Sequence, residues 1–559
     1  MPDTWKDISK RKKAEQADRI PKVWLLPKAF EPSANINNVL DVPRKCGILS
    51  PGELEITEAH DATSLIEQLS TGKLKSVDVV TAFCKRAAIA HQLTNCLTEI
   101  IFKDAIKRAK TLDSHFQQHG KPVGPLHGLP ISLKDTFKIP GYDSSIGIAQ
   151  FAFKPATTPS ALVQLLLNAG AVLYCKTNIP QTLMALDSHN NVFGRVLNPV
   201  NRKVTAGGSS GGEGALVAMR GSVLGVGTDV GGSIRIPAMC NNLYGIKPSW
   251  QRVPYSGQQG STLSGSSAVS IPASAGPIAT SMRDCELFLR VVANEEPWNI
   301  DSDVAYGLWS DQGCTTAKKD IVIGIVRTDG LITPLPPVVK VIDETATALR
   351  AQGIQTIDMD ISSLFAQCQS LANALFSMDG YQYIFDTLEA TGEPLSPWLS
   401  TRLRRKNPKT LDGVRAVHAK RDELRTKFLS IWKDKNGRTI DAFVCPVAPH
   451  PVPLIDQYNG VSYTSSFVLL DYPAGTLPVR AVTATDIQGE IPTSPTLNSW
   501  DKTNRALWTE VDRSVYVGTP LCVQVVAPRL QERRLVNAMS VIDDALKAEF
   551  GHLATRAKL

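Results

Sequence analysis

Between Thr205 and Ile236 the chain is crowded with glycine and serine and poor in large side chains, inside a sequence that is otherwise ordinary. Such a stretch cannot fill a core with its own side chains. It has to let backbone approach something closely, another segment or a ligand. Two runs carry it, Gly207-Gly-Ser-Ser-Gly-Gly212-Glu213 and Gly227-Thr-Asp-Val-Gly-Gly-Ser233-Ile-Arg235. Any fold open to this chain must place these two loops where close backbone approach is useful.

Three local chemistries compete for the region. A phosphate cradle needs Gly-Lys-Ser/Thr closing the first loop, but Gly212 is followed by Glu213, whose charge repels phosphate. A dinucleotide fingerprint starting at Gly225-Val-Gly227 puts Val230 where the third glycine belongs. A nucleophile elbow fits Gly207-Gly-Ser209-Ser-Gly211, with His418 or His450 available downstream. That motif should follow a strongly apolar strand, and Asn201-Arg-Lys-Val-Thr-Ala206 is not one.

Around this region the periodicity alternates. Ser76–Gln92 and Asp104–His119 have apolar residues at helical spacing, the second ending against Gly120 as a C-cap. The run from Gly128 to Asp135 suits a buried strand carrying Lys134 near its end, and Ser160–Asn168 a helix before the strand Ala171–Cys175. Pro336–Gly353 with Ile354–Met359 repeats the helix-then-strand order, and Ile440–Val447 and Leu521–Ala527 read as further core strands. The predicted architecture is α/β, a central mixed and largely parallel twisted sheet covered by helices on both faces. The expected organisation is a helical extension over residues 1–75 packed on a single domain over 76–550, with a tail at 551–559.

A charge of +7 from 60 basic and 53 acidic residues is a small surplus for 559 residues and argues for no nucleic-acid partner. The run Lys10-Arg11-Lys12-Lys13, followed by Glu15 and Asp18, reads as a plain solvated helix. Neither a leader-like apolar start nor a run of membrane-spanning length is present, so an intracellular protein without a membrane span is expected. Ten scattered cysteines, with no Cys-x-x-Cys pair, read as reduced, mostly buried thiols with no metal site. The last residues, Ala557-Lys558-Leu559, approach the C-terminal tripeptide address for peroxisomal import, so cytoplasm and peroxisome are both open.

Taken with the earlier lysine, both serine loops resemble the amidase signature family. The matching pieces are Gly128-Leu-Pro-Ile-Ser-Leu-Lys134-Asp, Lys176-Thr-Asn-Ile-Pro-Gln181, Gly207 to Glu213, and Gly227 through Ser233 to Pro237, in the family's order, with a signature core over about 125–250. Cys84-Lys-Arg-Ala-Ala-Ile-Ala90, Tyr244-Gly-Ile-Lys-Pro248 and Val523-Gln-Val-Val526 are similar to fungal acetamidases in particular.

The resemblance implies Ser233 as the acyl-forming nucleophile, Ser209, in a cis peptide, as a bridging serine, and Lys134 as the final base. The two serines stand 24 residues apart, as in the family. The chemistry is coherent without histidine, because a serine hydroxyl attacks only if its proton is removed, and a lysine can receive that proton once burial has made it neutral. Val230, Gly231, Gly232 and Ser233 are expected to supply backbone N–H groups to an oxyanion hole, where losing one donor costs about 3 to 4 kcal/mol. Ser210, Asp229 and Arg235 are expected to support the loops, the last two as a charge pair. Thr177, Asn178 and Leu183 occupy positions resembling substrate-cleft residues, while Cys240 has no histidine placed to make it a catalytic thiol.

The implied function is hydrolysis of a carboxylic amide, short and aliphatic, to acid and ammonia, with no cofactor. A small-molecule amide is the expected partner, with a homodimer as the oligomer to consider. A larger amide or carbamate, a transfer-RNA amidotransferase subunit and a catalytically silent scaffold are the alternatives. The intact set Lys134, Ser209 and Ser233 argues against the last.

Overall fold

The apolar run behind Gly128 forms a strand because Ile131 and Leu133 on one face and Pro130, Ser132 and Lys134 on the other are all buried. A strand covered on both faces belongs inside a sheet flanked by helices. The computed structural model describes residues 3–31, 36–313 and 315–551; the tripeptide Ala557-Lys558-Leu559 lies outside the described residues. Thirteen strands are described: β1 (Leu97–Ile100), β2 (Pro130–Lys134), β3 (Val172–Thr177), β4 (His189–Asn190), β5 (Gly194–Arg195), β6 (Leu224–Asp229), β7 (Tyr244–Lys247), β8 (Ser274–Ala279), β9 (Val322–Ile325), β10 (Gln355–Asp358), β11 (Ala442–Pro446), β12 (Ala474–Ala481) and β13 (Pro520–Val526).

Eleven of them make one sheet in the order β1-β3-β2-β6-β8-β7-β12-β13-β11-β9-β10, while β4 and β5 pair separately. The sheet is mixed, as expected. Its parallel pairings are β3-β2-β6 on one side and β11-β9-β10 on the other. The middle, from β6 through β8, β7, β12 and β13 to β11, is antiparallel. The expectation of a largely parallel sheet therefore holds for those two runs and is corrected for the middle and for the edge strand β1, which pairs antiparallel with β3. In the middle β7 and β8, and β12 and β13, are consecutive and adjacent, and antiparallel neighbours need no helical crossover.

Helices fall close to the predicted spans: Ser76–Thr94, Phe102–His119 with Gly120 left-handed at its C-cap, Ala161–Asn168 behind Ser160, and Pro336–Ala351. Among the described residues no helix is long and apolar enough to cross a membrane. The described cysteines are all buried and none is in a disulfide.

The first helix, Trp5–Asp18, departs from expectation. It is not the plain solvated helix its charge run suggests: Lys12 is 2% exposed and its ammonium meets Glu99 at 2.5 Å, Asp143 at 2.7 Å and Glu15 at 2.9 Å. Its buried residues are Ile8, Ser9, Lys12 and Gln16, so a single isoleucine among polar side chains gives no apolar stripe to announce the face.

Candidate active site

Strands β2 and β6 are parallel neighbours, with Ser132 opposite Gly225 and Leu133 opposite Val226. Their C-terminal ends therefore lie side by side, bringing Lys134 to the end of β6. In sheets of this kind ligands bind beyond the carboxyl ends of parallel strands. The loop after β6 carries Ser233 into the short helix Arg235–Cys240, and the loop holding Ser209 leads into the helix Gly211–Ala218.

Lys134 is fully buried. Its Nζ lies 2.7 Å from Ser209 Oγ, 2.9 Å from Thr228 Oγ1 and 3.3 Å from the Thr228 carbonyl oxygen. Burial lowers its pKa from 10.5 to about 7, against the opposing pull of Asp229 and Glu213. A neutral amine has two N–H groups and one lone pair. Thr228 offers two acceptors for the N–H groups, which leaves the lone pair for the hydroxyl of Ser209. Thr228 stands inside the Gly227-Thr-Asp run and was given no role from sequence; its place beside Lys134 follows from the β2–β6 register.

The peptide bond Gly208–Ser209 is cis. Ser210 joins the two serine loops, its N–H donating to the Ser233 carbonyl at 3.2 Å while its hydroxyl lies 3.4 Å from both the carbonyl oxygen and the amide nitrogen of Thr228. The structure thus places Lys134 and Ser209 in direct contact and ties Ser233 to them through backbone.

The turn before Ser233 is built on Asp229, whose carboxylate accepts N–H bonds from Gly232 (2.7 Å) and Ile234 (3.1 Å) and a two-pronged bond from Arg235, Nε and a terminal nitrogen each at 3.0 Å. Both side chains are fully buried. Burial alone would raise the Asp229 pKa, but Arg235 beside it holds the carboxyl below its ordinary value. Arg235 also donates to Gln524 (2.6 Å) and to the Thr464 carbonyl (3.0 Å). The expected charge pair is therefore the anchor of the loop that carries Ser233.

Gly232 adopts φ +133°, and a Cβ there would lie 2.5 Å from Thr464 Oγ1 and 2.6 Å from Ile236 Cδ1, so only glycine fits. Its N–H points to Asp229 and not into the cleft. The Gly232 N–H, one of the four expected to face an oxyanion, is thus engaged by the Asp229 carboxylate. Thr464 Oγ1 donates to the Gly231 carbonyl at 2.6 Å, and Phe376 stands next to Gly231, 3.5 Å from where a Cβ would be. Neither Thr464 nor Phe376 carried a sequence signal, because each lies in an unremarked helix far along the chain.

Leu183 is half-buried, with φ +67°, in an apolar cluster with Ile146, Ile148, Ile384 and Leu403. Thr177 and Asn178 are corrected: both are fully buried and bonded inward, Thr177 to Glu213 (2.9 Å) and Asn178 to Asn190 (2.7 Å). Glu213, which also accepts from Ser132 at 2.6 Å, has its carboxyl pushed up to about 7 by burial.

The elbow reading loses its histidines. His418 faces the Val269 carbonyl, while His450 has its Nδ1 against the Pro451 carbonyl and its Nε2 accepting the Asn459 N–H. Cys240 is buried, and burial pushes its thiol up. Among the described residues no group of three or more His, Cys, Asp or Glu side chains is placed to hold a metal ion.

The amidase family model matches residues 78–536. The acetamidase of Aspergillus oryzae is 38% identical over 540 residues, covering 95% of this chain and 97% of its own length. The acetamidase of Emericella nidulans is 37% identical, covering 96% and 97%. Among solved structures, a fatty acid amide hydrolase superposes with a TM-score of 0.86 at 30% identity, covering 96% of this chain and 94% of that one. A matched region running from the helix that begins at Ser76 to the last helix of the chain, and relatives covered from end to end, place the chain in the amidase signature family, and it is an amidase.

Proposed function

We propose that the chain hydrolyses a short aliphatic amide, of the acetamide class, to its carboxylate and ammonia through an acyl-Ser233 intermediate. The observation that carries this is the 2.7 Å contact between the Ser209 hydroxyl and a fully buried Lys134 whose pKa is about 7. Near neutral pH that lysine is an effective acceptor, close to the optimum for a general base.

As Ser233 Oγ attacks the amide carbon, its proton passes to Ser209 Oγ while Ser209 gives its own to Lys134 Nζ. The carbonyl oxygen becomes an oxyanion held by the N–H groups of Val230, Gly231 and Ser233. The proton on Lys134 returns through Ser209 to the leaving nitrogen, the C–N bond breaks, and ammonia departs from an acyl ester on Ser233. Water then attacks the ester carbonyl, losing one proton along the same route, and the carboxylic acid leaves as Ser233 recovers its hydrogen; in solution the acid gives its remaining proton to ammonia and becomes the carboxylate. Residues 76–550 act in this as one domain, with 1–75 packed on it.

The acetamidases at 37% and 38% identity support a short acyl group. The apolar cluster at Leu183 and the likeness to a fatty acid amide hydrolase favour a longer one as the second reading. Two measurements decide. A serine-directed fluorophosphonate should leave its adduct on Ser233, located by mass spectrometry of the digested protein; an adduct on Ser209 refutes the assignment. With purified protein alone, kcat/KM across linear amides should be highest at two to four acyl carbons, about the size of the proposed substrate, and a maximum at long chains supports the second reading.

A further inference from the structure

The helix Trp5–Asp18 precedes the region matched by the family model, which begins at residue 78. Four residues on one of its faces, spaced four, three and four apart, each grip a different part of the body. The Trp5 N–H donates to the Thr391 carbonyl at 3.2 Å. The Ser9 hydroxyl donates to the Val192 carbonyl at 2.7 Å. Lys12 meets Glu99 and Asp143, and the Gln16 amide donates to the Leu97 carbonyl at 2.8 Å. The segments so joined are β1, the loop after Asp143, the β4–β5 turn and the stretch near 391.

Those segments are the supports of the apolar wall that contains Leu183. Asp143 opens the loop that presents Ile146 and Ile148, and its carboxylate also accepts the Phe153 N–H at 2.6 Å. The Ile146 N–H donates to Asp135 at 2.7 Å, and its carbonyl accepts from Thr182 N–H at 3.3 Å, immediately before Leu183. Beyond Thr391, the buried Glu393 carboxylate accepts from Ala149 N–H (2.8 Å) and the Gln181 amide (2.6 Å), closing the circuit at the other end of the same wall. The Asn191 amide adds a bond to the Pro394 carbonyl at 2.8 Å.

We propose that the first helix is a clamp that sets the acyl side of the substrate cleft, with Lys12 as its central positioning residue. It touches no reacting atom. It holds Asp143 and Glu99 in place, and through them the loop on which Ile146, Thr182 and Leu183 rest. The proposal rests on the reading of Ser233 as nucleophile and of the Leu183 wall as the acyl side.

The test uses full-length Lys12→Met, Lys12→Arg and Ser9→Ala proteins. Active sites are counted by fluorophosphonate titration, and kcat and KM are measured for a two-carbon and a six-carbon amide. In Lys12→Met, KM for the six-carbon amide should rise about tenfold while kcat per titrated site stays within about twofold, the signature of lost ground-state and transition-state binding together. Lys12→Arg should recover most of that loss. Where Lys12→Met does not fold, Ser9→Ala, which strands no buried charge, should still raise the same KM by about threefold. An unchanged KM in a variant that titrates fully overturns the clamp. A wild-type protein that turns over amides without labelling Ser233 overturns the underlying reading instead.

Discussion

Lys134→Met should lower kcat for amide hydrolysis about 1,000-fold to 10,000-fold, the upper range for loss of a general base, while the protein remains folded. The reason is the geometry around the amine: fully buried, 2.7 Å from Ser209, with both Thr228 acceptors beside it. Methionine fills nearly the same volume without a basic nitrogen, so the packing survives and the proton acceptor does not. A folded-state pKa lowered to about 7 from an ordinary 10.5 means that the unfolded chain binds more protons between those values. Stability contributed at this position is therefore lower at pH 7 and rises toward pH 10.5, and Lys134→Met should flatten that rise. Steady-state kinetics and urea unfolding at several pH values read both effects. A variant retaining a tenth or more of wild-type kcat contradicts the role of the lysine.

Arg235→Met should destabilise the chain by about 3 to 5 kcal/mol, because it strands a buried carboxylate. Asp229 keeps its bonds from Gly232 and Ile234 but loses both contacts at 3.0 Å from the guanidinium. The sign with pH follows from the pair. In the wild type the Asp229 pKa is lowered, so its stabilisation is in place above the ordinary 3.8 and is lost only as pH falls through the folded value. Without Arg235 the carboxyl is governed by burial and moves upward, so the variant should lose less stability than the wild type on acidification. Adding Asp229→Asn should restore part of the loss, since a neutral amide costs less to bury than an unpaired charge. Urea midpoints across pH 2 to 8 test this, and a destabilisation below about 1 kcal/mol near neutral pH would show that the pair is not the loop's anchor.

Much of the site was legible because close backbone packing demands glycine, and glycine is visible in a sequence. Gly225 shows why the same signal misleads about structure. A Cβ there would lie 2.1 Å from Glu213 Oε2, so β6 carries glycine to let the helix after Ser210 lie against it. A strand written in glycine reads as a turn, and β6, β7, β8 and β12 went unassigned where β2, β3, β11 and β13, rich in branched apolar residues, were found. The antiparallel middle of the sheet was hidden for the same reason.

Side-chain direction was the second limit. Thr177 and Asn178 lie in a segment that resembles cleft residues, yet the register of β3 against β2 points Thr177 at Glu213 and the following turn sends Asn178 to Asn190. The Gly232 N–H was expected to face the substrate and is instead held by Asp229, three residues earlier. Lys12 was hidden by its type, since a lysine among charged residues is nearly always solvated, and it takes the distant Glu99 and Asp143 as well as the neighbouring Glu15 to make its burial tolerable.

If an uncharged Lys134 starts the reaction, as proposed, the pH dependence of kcat/KM shows it most directly, because that ratio reports the ionisation of the free enzyme and a simple amide does not titrate in the range. A single ascending limb with a midpoint about pH 7, set by Lys134, is the expected result. A rate that stays level down to pH 5, or a limb that rises only near pH 10, would contradict it.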